Sequence, residues 1–351
     1  MGINHLNKII QKYCPECYKI KKLKEFQFQK IALDVSLYMY KYKCILGENW
    51  LNAFINLVCC LRKNDIHGIF IFDSKAPPEK IQEQKDRREQ RQKIKDKCEK
   101  IKEEYELYKK TKKPSNFLIE MCKEENKIPR LLSTESFFKE EIIISKIKKL
   151  ELQTISISVD DFNLVKELFK ILGMPYYQAT TEAEATGAYL CREGIVYGVM
   201  SDDTDVLAYG SPKFITKVNT HSESCCEIDI KELLEKLELT YEQFRDLCIM
   251  CGTDYNKNIP KIGPQKSYDL IKKLGSIDNI DEKTILDVRI LNHNRVRELF
   301  TFPKNYFTKR VKFCCSPDMN KLQEFIFVNN CKVHFNYIEK CFESLPLKFV
   351  D

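Results

Sequence analysis

Three short apolar runs, each closed by an acid, stand out along the chain: Ile31-Ala-Leu-Asp34, Ile66-His-Gly-Ile-Phe-Ile-Phe-Asp73 and Val196-Tyr-Gly-Val-Met-Ser-Asp-Asp203. Runs that are apolar without alternation suit strands buried on both faces of a parallel sheet. Between them, Trp50 to Arg62, Asp161 to Leu172 and Glu182 to Glu193 have helical spacing. The alternation predicts an α/β fold, with a central, mostly parallel sheet flanked by helices. Ligand sites in such sheets form at the carboxyl ends of the strands. Asp34, Asp73, Asp203 and Asp205 all fall there, so separate strands deliver acids to one sheet edge.

The pattern breaks between Glu79 and Lys113, where nearly every residue is charged or an amide. Composition alone reads this stretch equally as a solvated helix or a disordered insertion. After Pro114 the chain turns apolar through Phe117-Leu-Ile and Ile142-Ile-Ile-Ser-Lys-Ile, and strand-like spacing resumes near Thr154. Tyr241 to Met250 and Gln265 to Leu274 read as helices, and no internal repeat is visible.

At 351 residues and 43% hydrophobic content, the chain can build one large or two small cores. No apolar run reaches the ~18 residues that cross a bilayer, and the first residues lack a signal-peptide pattern. Leu6 stands where a myristoylation signal needs Ser or Thr. We expect an intracellular, reducing compartment and no membrane partner. The 16 cysteines are scattered, with adjacent pairs that are awkward to bridge, and read as small buried apolar residues. Cys14-Pro-Glu-Cys17 has the spacing of half a zinc ribbon, but no second half completes it. The net charge of +7 is modest, with its basic surplus concentrated from Lys75 to Lys113.

The acids change the picture most. Thr181-Glu182-Ala-Glu184 opens a helix that Thr180 or Thr181 can cap, and acids there are favoured by the helix dipole anyway. Glu182 and Glu184, two apart, do not share a helix face and can diverge towards two neighbouring ions. Ser201-Asp-Asp203-Thr-Asp205 aims two acids to one side, and Gly252-Thr-Asp254-Tyr adds a seventh. Any one of them alone is more often a surface or capping residue. Together they repel strongly unless cations neutralise them. All-oxygen ligands favour Mg²⁺ or Mn²⁺, and two such ions side by side suit phosphodiester cleavage.

Five segments together carry a resemblance: Ala32-Leu-Asp34-Val-Ser-Leu-Tyr-Met-Tyr40, Phe70-Ile-Phe-Asp73-Ser-Lys-Ala-Pro-Pro, Ala179-Thr-Thr-Glu182-Ala-Glu184-Ala, Ser201-Asp-Asp203-Thr-Asp205-Val-Leu and Leu247-Cys-Ile-Met-Cys-Gly252-Thr-Asp254-Tyr. In order and spacing, beginning from Met1-Gly-Ile, the chain is similar to the flap-endonuclease family of structure-specific 5′ nucleases over most of its length. The resemblance implies a PIN-like nuclease domain across 1–351. Its parts would be an N-terminal region 1–105, a helical arch 77–150, an internal region 151–300 and a C-terminal extension 301–351. A helix-two-turn-helix would occupy 254–275.

By the same resemblance, Asp34, Asp73, Glu182, Glu184, Asp203, Asp205 and Asp254 would hold two Mg²⁺. Tyr40 would stack on a nucleobase beside the scissile phosphate, which Lys80 and Arg87 would contact. Gly252, Lys261 and Gly263 would meet DNA, and Asn258, Ile259 and Ile262 would line a K⁺ site. The substrate would be branched, flapped or nicked double-stranded DNA. Flap cleavage would be accompanied by 5′→3′ exonuclease activity, in replication, repair or recombination. A Holliday-junction resolvase or processive exonuclease would share these residues, whereas a non-catalytic DNA-binding scaffold would show gaps among the acids.

Three departures from the family stand out. Lys261 replaces the first loop glycine, leaving Gly263 as the residue whose backbone angles the loop is expected to need. The arch is longer, with the extra residues between Lys110 and Leu150. No clamp-binding motif is visible before Asp351, and a monomer is expected. Lys321-Leu-Gln-Glu-Phe-Ile-Phe is similar to the C-terminal part of poxvirus relatives. With abundant Lys, Ile and Asn, it suggests a large DNA virus as source; the expected place of action is the nucleus or, for a viral protein, a cytoplasmic replication site.

Overall fold

One sheet organises the fold, and the computed structural model describes residues 2–125 and 138–343 of the chain. Its strands are β1 (Lys19–Lys22), β2 (Lys30–Asp34), β3 (His67–Phe72), β4 (Tyr176–Gln178), β5 (Gly198–Met200), β6 (Lys213–Asn219) and β7 (Ser224–Asp229). They lie in the order β1-β7-β6-β5-β2-β3-β4. From β6 to β4 the neighbours pair parallel, while β7 and β1 add an antiparallel margin. β3 is buried at every position and β2 at all but its first, which explains their unbroken apolar runs. Asp34 pairs with Ile71, so the acids closing β2 and β3 emerge at the same edge.

Helices cover both faces. The first, α1 (Leu6–Tyr13), precedes the sheet; α2 (Val35–Leu46) and α3 (Trp50–Lys63) join β2 to β3. Val35–Lys63 is long and apolar enough to cross a membrane by composition, but a short turn at Gly47–Asn49 divides it. Both halves bury apolar side chains in the core with Phe70, Phe72 and Phe169.

The charged stretch after β3 is a single helix, α4 (Ile81–Thr111), of 31 residues. At 1.5 Å per residue it is about 46 Å long. Its buried residues are Cys98, Ile101 and Tyr105, spaced to share one face. That face packs with α5 (Asn116–Glu125) and α6 (Glu140–Gln153) in a small separate core around Leu118, Cys122 and Ile143. The half of α4 nearer β3 has no such anchor. The expected insertion between Lys110 and Leu150, the C-terminal extension and Met1 lie partly or wholly outside the described residues.

Two expectations are corrected here. The chain near Thr154 forms no strand; Ser158 caps α7 (Val159–Ile171), with Asp161 bonding back to the Ser158 amide. This reciprocal cap starts a helix where apolar spacing had suggested extension. Asp205 also does not end a strand, because it begins the short helix α9 (Asp205–Ala208) after α8 (Ala183–Arg192). The remaining helices are α10 (Ile230–Leu237), α11 (Tyr241–Cys251), α12 (Pro264–Leu274), α13 (Ile277–Lys283), α14 (His293–Leu299), α15 (Met319–Val328) and α16 (Phe335–Glu343). All 16 cysteines are free thiols, most of them buried.

Candidate active site

At the carboxyl edge of the sheet the acids gather in two lobes. Asp34 is buried and Glu184 half-buried; Glu184 hydrogen-bonds to Asp34, with Asp73 beside them. Burial, reinforced by Asp73, pushes Asp34 up to about 8. Burial also raises Glu184 far above the usual carboxylate range, with Asp34, Asp73 and Asp203 adding repulsion. Local bonds aim these groups: Asp34 caps α2 by accepting from the Leu37 amide at 3.1 Å, and Asp73 accepts from the Ala183 amide at 2.8 Å.

The second lobe holds Glu182, Asp203, Asp205 and Asp254. Asp203 accepts from the Asp205 amide at 2.9 Å, and burial raises both carboxyls. Asp203 faces both lobes, since it also repels Asp34 and Glu184. Glu182 occupies the N-cap position of α8, which was expected for Thr180 or Thr181, and its side chain makes no capping bond there. Those hydroxyls turn instead to Tyr306, one to its carbonyl at 2.7 Å and one to its phenol at 2.6 Å.

Two cations from the foot of α4 enter the second lobe. Lys80 bridges Glu182 Oε1 and Asp254 Oδ2, the latter at 2.9 Å. Burial works against its ammonium, but the two carboxylates more than offset this and hold its proton. Arg87 reaches Asp254 Oδ1 at 3.0 Å and pairs with Glu83 on its own helix. An open cleft of about 710 Å³ lies alongside, lined by Gly2, Glu79, Glu83, Arg87, Asp254 and Tyr255 among others.

The donor set suits hard divalent cations, as seven carboxylates with no imidazole or thiolate among them. Among the described residues, no three acids close around one point tightly enough to hold an ion as they stand. The place between Glu182 and Asp254 is filled by the Lys80 ammonium. Asp205 Oδ1, by contrast, is buried without a hydrogen-bond partner, an oxygen left for a cation. The lining is also cut close: Gly2 has φ +80°, and a Cβ there would collide with Asp203 Oδ1. By their chemistry the carboxylates fit divalent cations, and the Lys80 ammonium stands at one place that such a cation would take.

Other expected residues are placed less tightly. Tyr40 is exposed on α2, and its neighbour Lys41 pairs with Asp202 at 2.6 Å. Between α11 and α12, the Asn258 amide donates to the Cys251 carbonyl at 2.7 Å and packs against Gly252. Ile259 is buried, and its carbonyl accepts from the Ile262 amide at 3.1 Å. The expectation for Gly263 is corrected: with φ −93° and ψ 176° it is extended backbone, and a Cβ there would meet nothing within 4 Å. Lys261 carries the strained left-handed conformation instead, with φ 64°.

Several participants escaped the sequence reading. Glu83 was findable, because 80, 83 and 87 recur at helical spacing on one face. Glu79, which ties the foot of α4 to α14 through Arg295 at 2.7 Å, gave no local signal. Neither did Tyr255, which donates to Glu182 Oε2.

Comparison with known proteins agrees with this geometry. Residues 1–94 match the XPG N-terminal domain and residues 173–254 the XPG I-region. The chain is 34% identical to a probable RAD2-like endonuclease, 369L, of Invertebrate iridescent virus 6, over 99% of this chain and 93% of that one. It is 29% identical to flap endonuclease 1 of Micromonas commoda, over 80% of this chain and 68% of that one. The solved catalytic core of Rad2 in complex with a DNA substrate superposes with a TM-score of 0.64 at 17% identity, covering 97% of this chain and 98% of that one. The motifs, the fold and these relatives agree: the chain belongs to the XPG/RAD2-like family of endonucleases.

Proposed function

We propose that the chain is a structure-specific 5′ flap endonuclease with 5′→3′ exonuclease activity, acting on branched, flapped or nicked DNA with two Mg²⁺. The observation that carries this reading is the pair of carboxylate lobes sharing Asp203, with Lys80 and Arg87 held against them. Asp34, Asp73, Glu182, Glu184, Asp203, Asp205 and Asp254 would hold the ions. When bound, these would activate a water and stabilise the leaving oxygen. The flap endonuclease relative and the DNA-bound Rad2 core support a DNA substrate.

The chain's own groups prepare the reaction. Lys80 and Arg87 would exchange their carboxylates for the scissile phosphate and meet the negative charge that develops on it. Tyr40, already exposed, would stack on the adjacent base. The basic, unanchored half of α4 would follow the phosphates of the single-stranded 5′ end. The turn between α11 and α12 would grip duplex phosphates through backbone groups and K⁺, without reading sequence. End-labelled single-stranded, nicked, flapped and four-way DNAs incubated with Mg²⁺ test this. The reading expects short products from the 5′ end of flaps and none in chelator. Preferential symmetric cleavage of four-way junctions would replace it with a resolvase.

A further inference from the structure

Two buried tyrosines stand in line behind Glu182. Tyr255 donates to Glu182 Oε2, and its hydroxyl lies 2.7 Å from that of Tyr209. The two residues are 5% and 3% exposed, so water does not compete for these bonds. A phenol has one proton to give. Tyr255 commits its proton to the carboxylate, so the proton between the two tyrosines belongs to Tyr209. The chain of donors therefore runs from Tyr209 to Tyr255 to Glu182, and each donor strengthens the next in a low-dielectric setting.

Aromatic packing fixes the geometry. Tyr209 meets the edge of Phe300 at 4.9 Å and stacks with Phe302 at 5.8 Å, and Tyr255 meets Phe300 at 5.6 Å. Phe300 and Phe302 lie beyond residue 254, where the second matched family segment ends. The two oxygens of Glu182 are thus unlike. Oε2 is held from behind by a caged hydroxyl, and Oε1 faces the Lys80 ammonium.

We propose that Tyr209 is a positioning residue of the metal site. Acting through Tyr255, it commits Glu182 Oε2 to the protein and leaves Oε1 as the oxygen that exchanges Lys80 for a divalent cation. The proposal rests on the two-ion reading above. Phenylalanine at either position keeps the ring in its cage and removes one hydrogen bond, which separates the positioning role from simple packing.

The test uses the full chain with Tyr209→Phe, Tyr255→Phe and both substitutions. Mn²⁺ affinity is measured by calorimetry without DNA, and flap cleavage is followed against Mg²⁺ concentration. Tyr255→Phe should weaken Mn²⁺ binding roughly 10- to 100-fold, as loss of a group orienting a ligand does elsewhere. Tyr209→Phe should weaken it by about 3- to 10-fold, within the reach of that same effect. The Mg²⁺ midpoint for cleavage should move by similar factors, with high Mg²⁺ recovering most of the rate. The double variant should bind no worse than Tyr255→Phe alone, because Tyr209 acts only through Tyr255. Unchanged Mn²⁺ affinity in Tyr209→Phe overturns the proposal, even if its melting temperature falls, and so does an additive loss in the double variant. If the parent chain neither binds Mn²⁺ nor cleaves with Mg²⁺, the two-ion reading falls and takes this with it. If the parent does both and Tyr209→Phe is silent, only the tyrosine relay is lost.

Discussion

Lys80 Nζ stands 2.9 Å from Asp254 Oδ2 while also bridging to Glu182, so a side-chain cation occupies the gap between two proposed metal ligands. The same ammonium cannot neutralise the acids and a scissile phosphate together. Lys80→Ala should therefore have opposite effects on two measurements. Single-turnover cleavage should fall about 10²- to 10³-fold, the scale for losing one group that stabilises developing charge. Mn²⁺ binding to the DNA-free protein should tighten, because a competitor has gone. A calorimetric titration showing weaker metal binding in Lys80→Ala would refute the competition.

Asp203 faces both lobes and Asp254 receives both cations of α4. Asp203→Ala and Asp254→Ala should abolish cleavage yet keep or improve affinity for flapped DNA, since each removes negative charge near a phosphate. Binding assays in Ca²⁺ alongside cleavage in Mg²⁺ separate the two effects. Near-normal turnover by either variant would contradict the two-ion assignment.

Lys261 holds a left-handed backbone conformation, which costs an ordinary residue about 1–2 kcal/mol. Lys261→Gly should raise stability in chemical denaturation, by about 1 kcal/mol after glycine's extra chain entropy is counted. If the lysine supplies charge that K⁺ provides elsewhere, the variant should also bind a double flap with a stronger K⁺ requirement at constant ionic strength. Gly263→Ala should leave stability nearly unchanged, because its Cβ would meet open space. A selective loss of duplex affinity in that variant would place the turn on DNA.

His67 supplies a pH dependence distant from the acids. Burial, with Arg62 and Lys30 nearby, lowers it to about 4, and its Nδ1 accepts from the Cys314 amide. The unfolded chain titrates near 6.5, so between pH 6.5 and 4 it takes up a proton that the native state refuses. Stability should thus fall as pH drops through 6.5 and level off below about 4, a loss of about 3 kcal/mol from this group. Denaturation of the parent and of His67→Gln across that range should differ in slope. Parallel curves would assign the acid sensitivity elsewhere.

The acids were legible in sequence because the fold writes them in a local code. A strand buried on both faces must be apolar, and the first acid after it marks the sheet edge, as at Asp34 and Asp73. β1, with the sequence Lys-Ile-Lys-Lys, carries no such code, because an edge strand exposed to water tolerates lysine. The three-residue β4 is too short to show a period. Ser158 and Asp161 did carry a helix-start signal that should have outweighed the apolar spacing before them. Tyr209, Tyr255 and Tyr306 converge on Glu182 and its neighbour Thr181 from separate places in the chain, and pattern reading does not reach such convergence.

The crowding of acids at the sheet edge has a consequence for descent. Asp205 is buried, repelled by Asp203 and Asp254, and leaves one oxygen without a hydrogen-bond partner. Without bound cations it weakens the folded state, so Asp205→Asn should melt a few degrees above the parent in chelator. An unchanged or lower melting temperature would show that the strain is already relieved. Where it holds, the inactive protein is the sturdier one. A spare copy released from selection would then lose its acids early and keep its shape long afterwards, so lineages of this architecture should leave behind intact folds that no longer cut.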